Sequence, residues 1–376
     1  MLATILACST LAAVANQVFL TETSLYHKKF YCEEKTCFFP EKSLKNDDLV
    51  VSGRVAWNRD ENLVLHTTGN IIFEKNSELI IDSDCSLTIK AGMEPKEAIA
   101  YTNRIDFLGD NTQIKMLGAG NVSLYYNPIA NGAEHKYANP RASYFKKHIS
   151  MPDENKLNLY LLVNDLHDLQ NINISLSVSY ALSQDIDASD TKSWNNGQGF
   201  KPLKNAGKNM PFSGNFDGNG YKIIDLFINR PEEDKVGLFG MISGRRNHHN
   251  TIKNLELLNF KVTGDHYVGG FAGWMTYVDT EQIALTGSYT IVGKDVVGGL
   301  VGAMRQSDMK EITVDTAKDN LIEATEYKGY LAGSSKSCTL SKIAAYAYLL
   351  ELNKPDLMPS PKNPYIGAAV DTEVLK

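Results

Sequence analysis

Four short glycine-containing segments recur at a nearly constant spacing in the second half of this 376-residue chain. They are VGLFG at residues 236–240, VGGFAG at 268–273, VGGLVG at 297–302 and the degenerate KGYLAG at 328–333. Their last glycines stand at positions 240, 273, 302 and 333, so the steps are 33, 29 and 31 residues. A period of about 20 to 50 residues with glycines at fixed offsets predicts a stacked-repeat fold.

We interpret the repeated glycines as structural. Glycine adopts a positive φ at a chain corner more easily than other residues, and it lets two backbones approach where a Cβ atom would clash. Either property would serve a repeat that stacks on its neighbours. The glycines to which this role is assigned are Gly237, Gly240, Gly269, Gly270, Gly273, Gly298, Gly299 and Gly302.

The first half carries a shorter period. Apolar clusters recur about every eight residues between positions 62 and 92, with the polar segments TTGN, EKNS and DSDC between them. Short clusters that are rich in Val, Ile and Leu and bounded by turn residues are typical of β-strands. Many short strands without helical periods predict an all-β architecture, which could be a β-helix, a sandwich or a barrel.

Other segments interrupt the strands. Residues 128–162 are polar and aromatic without a sustained period, which predicts an irregular linker. Asn164 is a candidate N-cap for a short helix whose Leu166, Leu169 and Ile172 lie near one face. In the last segment, 334–376, Ser341 is a candidate N-cap for a helical cap that ends before Pro355, and an extended or disordered tail follows.

The N-terminus and the cysteines indicate export. Residues 1–15 form an apolar run ending in Ala-Val-Ala, which favours a signal segment over a buried strand or helix. No later apolar run reaches the length of a membrane-spanning segment. Cys32 and Cys37 enclose a small loop that an oxidising compartment would readily close as a disulfide. Cys85 and Cys338 are expected to be small buried side chains.

Charge and motifs argue against several functions. The net charge of −6 gives no attraction for nucleic acid. The chain contains no HExxH, GxSxG, P-loop or Rossmann motif, so no catalytic residue, metal site or cofactor is predicted. His248 and His249 have no carboxylate nearby in the sequence and are expected to be a solvated loop pair. Asp185 and Asp187 lie on one face of a predicted strand, where they would suit the carboxylates of a carbohydrate-active enzyme, and a turn or a cation-binding loop is the simpler interpretation.

Aromatic side chains in and beside the middle segment are the remaining candidates for binding. Exposed Tyr and Trp favour recognition surfaces, although in a polar linker they also dock the linker onto the flank of a solenoid. The candidate ligand-facing residues are Tyr125, Tyr126, Tyr137 and Trp194.

Two resemblances cover much of the chain. The stretch FSGNFDGNGYKIIDLFIN, then KVGLFG and TIKNLELLNFKVTGDHYVGGFAG, is similar to the GLUG repeat of bacterial exoproteins. The segment from VSGRVAWN to SLTIKAG resembles the haemagglutination-activity domain of filamentous-haemagglutinin-like proteins, although the Asn-Pro-Asn-Gly motif common there is absent. The resemblances imply a right-handed parallel β-helix over residues 16–127 and a glycine-rich GLUG β-solenoid over residues 163–333.

They also imply a function. The chain is expected to be a non-enzymatic segment of a secreted or surface-exposed bacterial adhesin, which would bind a protein or glycan on a host or neighbouring cell. Export would use a two-partner system with an outer-membrane transporter. Two alternatives stay open: a carbohydrate-active β-helix enzyme, with carboxylates projecting from neighbouring rungs into a groove, and a structural remnant of a larger exoprotein.

Overall fold

A computed structural model describes residues 17–22, 30–40, 47–94, 104–127, 142–205, 207, 210–316, 320–347, 366–370 and 373–375. The predicted signal segment and Tyr137 lie outside these residues. The described residues fall into two compact units. The first draws on Met1–Met93, Asn103–Ser123 and Ser143–Asn158, and the second draws on Glu94–Thr102, Leu124–Ala142 and Leu159–Lys376.

Short strands account for just over half of the described residues up to position 163. They are β1 Gln17–Leu20, β2 Tyr31–Glu33, β3 Thr36–Phe39, β4 Asp48–Val51, β5 Arg54–Trp57, β6 Asn62–Thr67, β7 Ile71–Phe73, β8 Glu78–Ile81, β9 Leu87–Ala91, β10 Ile105–Phe107, β11 Gln113–Met116, β12 Val122–Tyr126, β13 Ile149–Ser150 and β14 Leu157–Val163. The α-helices are α1 Ala142–His148 and α2 Leu166–Asn171, and 3-10 turns occupy Glu154–Lys156, Ile172–Ile174 and Ser189–Gly197.

The other strands lie after residue 163. They are β15 Tyr180–Leu182, β16 Ile186–Asp187, β17 Lys204–Asn205, β18 Met210–Pro211, β19 Phe216–Asp217, β20 Lys222–Ile224, β21 Phe227–Asn229, β22 Phe239–Ser243, β23 Asn250–Thr263, β24 Val268–Gly269, β25 Ala272–Thr276, β26 Val278–Val292, β27 Val296–Gly298, β28 Val301–Arg305, β29 Asp308–Thr316, β30 Leu321–Glu323, β31 Tyr327–Gly329, β32 Ala332–Lys336, β33 Thr339–Ala347, β34 Ile366–Val370 and β35 Glu373–Leu375.

The first unit is a coil with three faces. Its sheets run β1–β4–β7–β10, β5–β8–β11–β13 and β3–β6–β9, and every pair in them is parallel. Each turn of the chain therefore places one strand on each face, directly above the strand of the turn before. The eight-residue period predicted from the sequence is the spacing of successive faces.

The disulfide lies at one edge of the first unit. Strands β2 and β3 form an antiparallel hairpin in which Cys32 stands opposite Cys37, and the two cysteines are joined in a disulfide with their Cα atoms 4.0 Å apart. Strand β3 continues the parallel sheet by pairing with β6. The hairpin therefore covers an edge that would otherwise offer unpaired backbone groups.

The second unit repeats the coil with longer rungs. Strands β23, β26, β29 and β33 stack in parallel along one face, β22, β25, β28, β32 and β34 along a second, and β24, β27 and β31 along a third. The predicted β-solenoid is confirmed. Val236, Val268 and Val297, the first residues of three glycine segments, are register partners.

Identical or similar apolar side chains stack along the inside of the second unit. Leu257 pairs with Leu285, and Leu285 pairs with Val314; all three are fully buried. Burying one such side chain contributes roughly 1.5 to 3 kcal/mol before ordering costs. Phe239 continues this core at the second face, with its ring centroid 5.3 Å from that of Phe271.

The repeated glycines pack backbone against backbone. A Cβ atom at Gly273 would lie 2.3 Å from the carbonyl carbon of Lys235, and one at Gly302 would lie 2.5 Å from the carbonyl carbon of Tyr267. Each of these glycines therefore presses against a corner of the preceding rung. The other assigned glycines are similarly crowded, and none of the eight has a positive φ. Of the two roles considered for them, close approach is the one the structure uses.

The expected C-terminal helical cap is wrong. Residues Thr339–Ala347 form strand β33, in which Ile343 pairs with Ile312 of β29, and part of the expected disordered tail forms β34 and β35. The helical spacing of the apolar residues is overridden because β29 offers a full row of unpaired backbone groups to the next segment. Residues 348–365 lie outside the described residues.

The middle of the chain is more regular than expected. Helix α1 and strands β13 and β14 occupy part of the segment predicted as an irregular linker. The short helix α2 is confirmed, but its N-cap is Asp165, whose side chain accepts a hydrogen bond from the Asp168 N–H. Asn164 instead joins a buried network with Asp168. Among the described residues, no helix has the length and apolar character needed to cross a bilayer.

Candidate functional site

Of the aromatic residues predicted to face a ligand, Tyr125, Tyr126 and Trp194 lie within the described part of the chain. Tyr125 and Tyr126 are buried, with exposed fractions of 4% and 0%, so their assignment as ligand-facing is wrong. Trp194 is half-buried and stacks on the ring of His167 at a centroid distance of 5.2 Å. It thereby covers helix α2. The sequence could not reveal this burial because the residues that cover Tyr125 lie far away along the chain.

Tyr125 belongs to a buried polar cluster of the second unit. Its hydroxyl donates to Asp217 Oδ2 at 2.7 Å, and its ring stacks on Tyr160 at 4.8 Å. Asp217 is 2% exposed and also accepts hydrogen bonds from the Asn219 N–H and from Asn254 Nδ2. Because Tyr125, Tyr160 and Asp217 are all buried, their contacts fasten neighbouring rungs to one another.

We expect alkaline solution to destabilise the second unit. Burial raises the pKa of a set of its tyrosines. In the unfolded chain a tyrosine loses its proton near pH 10. The stabilising contribution is therefore complete below about pH 10 and is lost as the pH rises further, because the unfolded state then releases protons that the folded state retains. The tyrosines are Tyr125, Tyr160, Tyr180, Tyr221 and Tyr289.

Denaturant midpoints measured between about pH 8 and about pH 11 test this expectation, together with tyrosinate absorbance recorded in parallel. The absorbance of these five tyrosines should rise only as the protein unfolds. Reversible ionisation of all tyrosines near pH 10 in the folded protein would contradict it.

The acidic pair considered for an enzyme has a structural use. Asp185 Oδ1 accepts a hydrogen bond from the Lys222 N–H at 2.8 Å, and Asp187 Oδ1 accepts one from the Ser189 N–H at 2.9 Å. The bond from Ser189 holds the pKa of Asp187 below its usual range. Both carboxylates therefore satisfy backbone donors, one on the next rung and one in a turn.

The histidine pair has a carboxylate partner after all. His249 Nδ1 lies 2.7 Å from Asp279 Oδ1, thirty residues further along the chain. His248 closes a tight turn with Arg245 through two backbone hydrogen bonds. His248 is exposed, as expected of a solvated loop, whereas His249 has a partner because stacking brings residues about one repeat apart into contact.

A second set of stacked polar residues precedes the glycine segments. Backbone hydrogen bonds join Lys235 N to His266 O and Tyr327 N to Asp295 O, so the corners before each segment lie one above another. One column of this corner holds Asp234, His266, Asp295 and Glu326 in successive rungs. The neighbouring column holds Glu233, Asp265, Lys294 and Thr325, linked by hydrogen bonds from each N–H to the preceding carbonyl.

Four of these residues converge, and we call Asp234, Asp265, His266 and Asp295 the corner cluster. One ligand-type atom from each of Asp234, Asp265 and His266 lies within 4.8 Å of the others. His266 Nε2 is 3.6 Å from Asp265 Oδ2, and His266 Nδ1 is paired with the carboxylate of Asp295. The His266 N–H donates to Asp234 Oδ1 at 3.4 Å. The cluster thus combines three rungs.

The cluster borders an open cleft of about 510 Å³. Lys204 forms its floor: its ammonium donates to the carbonyl of Lys235 at 3.0 Å and pairs with Glu233 at 3.0 Å. Burial lowers the pKa of Lys204. The aliphatic part of Lys204 occupies the space where Gly240 lacks a Cβ atom. The Lys204 ammonium is therefore held by Glu233 and by backbone carbonyls on one side of the cleft.

Sequence reasoning missed the corner cluster. Its members occur in three separate segments, EEDK, GDH and KD, whose spacing matches no metal motif. The available signal was the repeat itself. Each member of the column Asp234, His266 and Asp295 stands two residues before the first valine of a glycine segment.

Two proteins of known name share sequence similarity with parts of the chain. Halomucin from Haloquadratum walsbyi is 39% identical over 141 residues, which are 37% of this chain and 2% of Halomucin. A protein named Putative Gly-rich membrane protein from Evansella cellulosilytica is 36% identical over 114 residues, which are 30% of this chain and 12% of that protein. The similarity thus spans a small part of each relative.

No protein-family model matches the chain, and no solved structure matches it significantly.

Proposed function

We propose that this chain is a segment of a larger surface-exposed or secreted protein, in which the β-solenoid serves as a non-enzymatic structural scaffold. The observation that carries the proposal is the parallel stacking of β23, β26, β29 and β33, which one register shift between Leu258 and Phe260 interrupts but does not end. Such an array stacks one rung on the next, and each rung contacts only its neighbours. It suits extension and display better than it suits a closed catalytic pocket.

The outer face of the array is polar and charge-balanced. Lys253, Glu281 and Lys310 are register partners on successive rungs, and Glu281 and Lys310 form an ion pair. Lys342 and Glu311 form another at 2.8 Å. Exposed pairs of this kind add little stability, but they cover the sheet with hydrated groups of alternating sign. This covering fits a surface that stays in contact with water along its whole length.

The similarity to short stretches of Halomucin and of the Putative Gly-rich membrane protein supports a module within much longer chains. The resemblance to GLUG repeats and to the haemagglutination-activity domain supports a finer proposal, in which the scaffold presents loops to a protein or glycan on another cell. A two-partner transporter would then export the chain.

Surface labelling of the full-length protein in the organism that encodes it tests the proposal. An epitope inserted between Arg246 and Asn247 would lie in an exposed turn. We expect an antibody to label intact cells or to detect the chain in the culture medium. External protease should remove the signal from intact cells. A cytoplasmic protein carrying the same epitope is the control. Recovery of the tagged chain in the cytosolic fraction alone, protected from protease, would refute the proposal.

A further inference from the structure

We propose that the corner cluster binds a divalent transition metal of the zinc type, with Asp234, Asp265 and His266 as ligands. The ion would join two consecutive rungs of the second unit, because Asp234 precedes one glycine segment and Asp265 and His266 precede the next. The inference is independent of the proposed scaffold role and goes beyond it.

The distances are close to those a metal requires. Zinc bonds of about 2.0 to 2.1 Å in a tetrahedron place ligand atoms about 3.3 Å apart. His266 Nε2 and Asp265 Oδ2 are separated by 3.6 Å, and one ligand-type atom from each of Asp234, Asp265 and His266 lies within 4.8 Å of the others. Small side-chain rotations therefore suffice. Water would complete the coordination from the open cleft.

The imidazole separates this cluster from an ordinary acidic patch. His266 Nδ1 is held by Asp295, and a histidine so held carries its proton on Nδ1 and directs the lone pair of Nε2 outward. Nε2 is the atom that lies beside Asp265. A carboxylate that orients a histidine from behind is the usual support of a metal-binding imidazole. Asp295 is therefore a positioning residue.

The donor set also indicates which ion would bind. Calcium takes six to eight oxygen ligands, and magnesium keeps several waters around one or two carboxylates. One nitrogen and two carboxylates suit zinc, cobalt or nickel better. Lys294 lies 3.9 Å from Asp265 Oδ1 and is 63% exposed, so it can swing into solvent when an ion neutralises the carboxylate.

Calorimetric titration of the tag-free full chain with Zn²⁺ and with Co²⁺ tests the site, and the visible spectrum of bound Co²⁺ reports the ligands. We expect one ion per chain. His266→Ala should weaken binding by more than about 100-fold, and Asp295→Asn, which removes only the support of the imidazole, by about 10- to 100-fold. Asp234→Asn changes an exposed side chain and should weaken binding with no loss of folding.

His249→Ala is the matched control. His249 also pairs with an aspartate of the next rung, Asp279, but no group of three ligand-type residues forms around it in the described part of the chain. Its variant should bind Zn²⁺ like the parent. Equal loss in the His249 and His266 variants, no binding by the parent, or binding that prefers Ca²⁺ and survives His266→Ala would each overturn the proposal.

Discussion

Replacing Gly298 by alanine is expected to lower the free energy of unfolding of the second unit by about 3 kcal/mol or more. A Cβ atom there would lie 2.0 Å from the carbonyl oxygen of Val301, 2.7 Å from the nitrogen of Gly333 and 2.8 Å from the Cα of Ala332. All three atoms are backbone. Two of them belong to the next rung, so relief of the clash requires the ladder itself to open.

Chemical denaturation followed by circular dichroism measures this effect. Gly207→Ala is the matched control, because Gly207 is exposed and its added Cβ atom would meet, among the described residues, only the side chain of Asn205, at 3.8 Å. Its variant should unfold within about 0.5 kcal/mol of the parent. A Gly298→Ala protein with the midpoint of the control would show that the backbones at this corner are not in close contact.

Replacing Asp217 by alanine should cost about 3 to 5 kcal/mol. The substitution removes a buried carboxylate that accepts from Tyr125 at 2.7 Å and lies 3.5 Å from the ammonium of Lys253. The buried tyrosine hydroxyl would lose its partner, and so would the partly exposed Lys253 ammonium and the partly buried Asn254 amide. Tyr125→Phe removes one donor only, so its cost should be about 1 to 3 kcal/mol.

A double-mutant cycle between these two positions separates the pair from general damage to the core. We expect the double variant to be less destabilised than the sum of the single variants, because the hydrogen bond is lost only once. Asp190→Ala, at an exposed position in a turn, should change stability by less than about 0.5 kcal/mol. Strict additivity of the Tyr125 and Asp217 effects would contradict the pairing.

The sequence predicted the class of fold because strand repeats carry a regular signal. The spacing of the glycine segments was enough to predict stacking, since strands β22, β25, β28 and β32 begin at these segments and are register partners. The prediction failed at residues 339–347. Their apolar residues have helical spacing, but the segment forms a strand that pairs with the edge of β29. The local spacing of apolar residues does not show that an unpaired strand edge lies beside this segment in the fold.

The candidate site was less accessible to sequence reasoning. His249 and Asp279, or His266 and Asp295, are about thirty residues apart and meet only through the exact register of consecutive rungs. Burial was also invisible, as Tyr125 illustrates, because its covering residue Tyr160 and its partner Asp217 come from later turns of the coil. A motif search within short windows cannot find a site whose members come from different turns.

Because the second unit stacks regularly, its length is set by its number of repeats. Each repeat of about thirty residues adds one strand-to-strand spacing, which is about 4.8 Å, and touches only the repeats on either side. Gain or loss of a whole repeat would therefore lengthen or shorten the array by a fixed step while leaving the other rungs as they are. Tandem duplication within the gene could in this way change the length of the protein in whole-repeat steps.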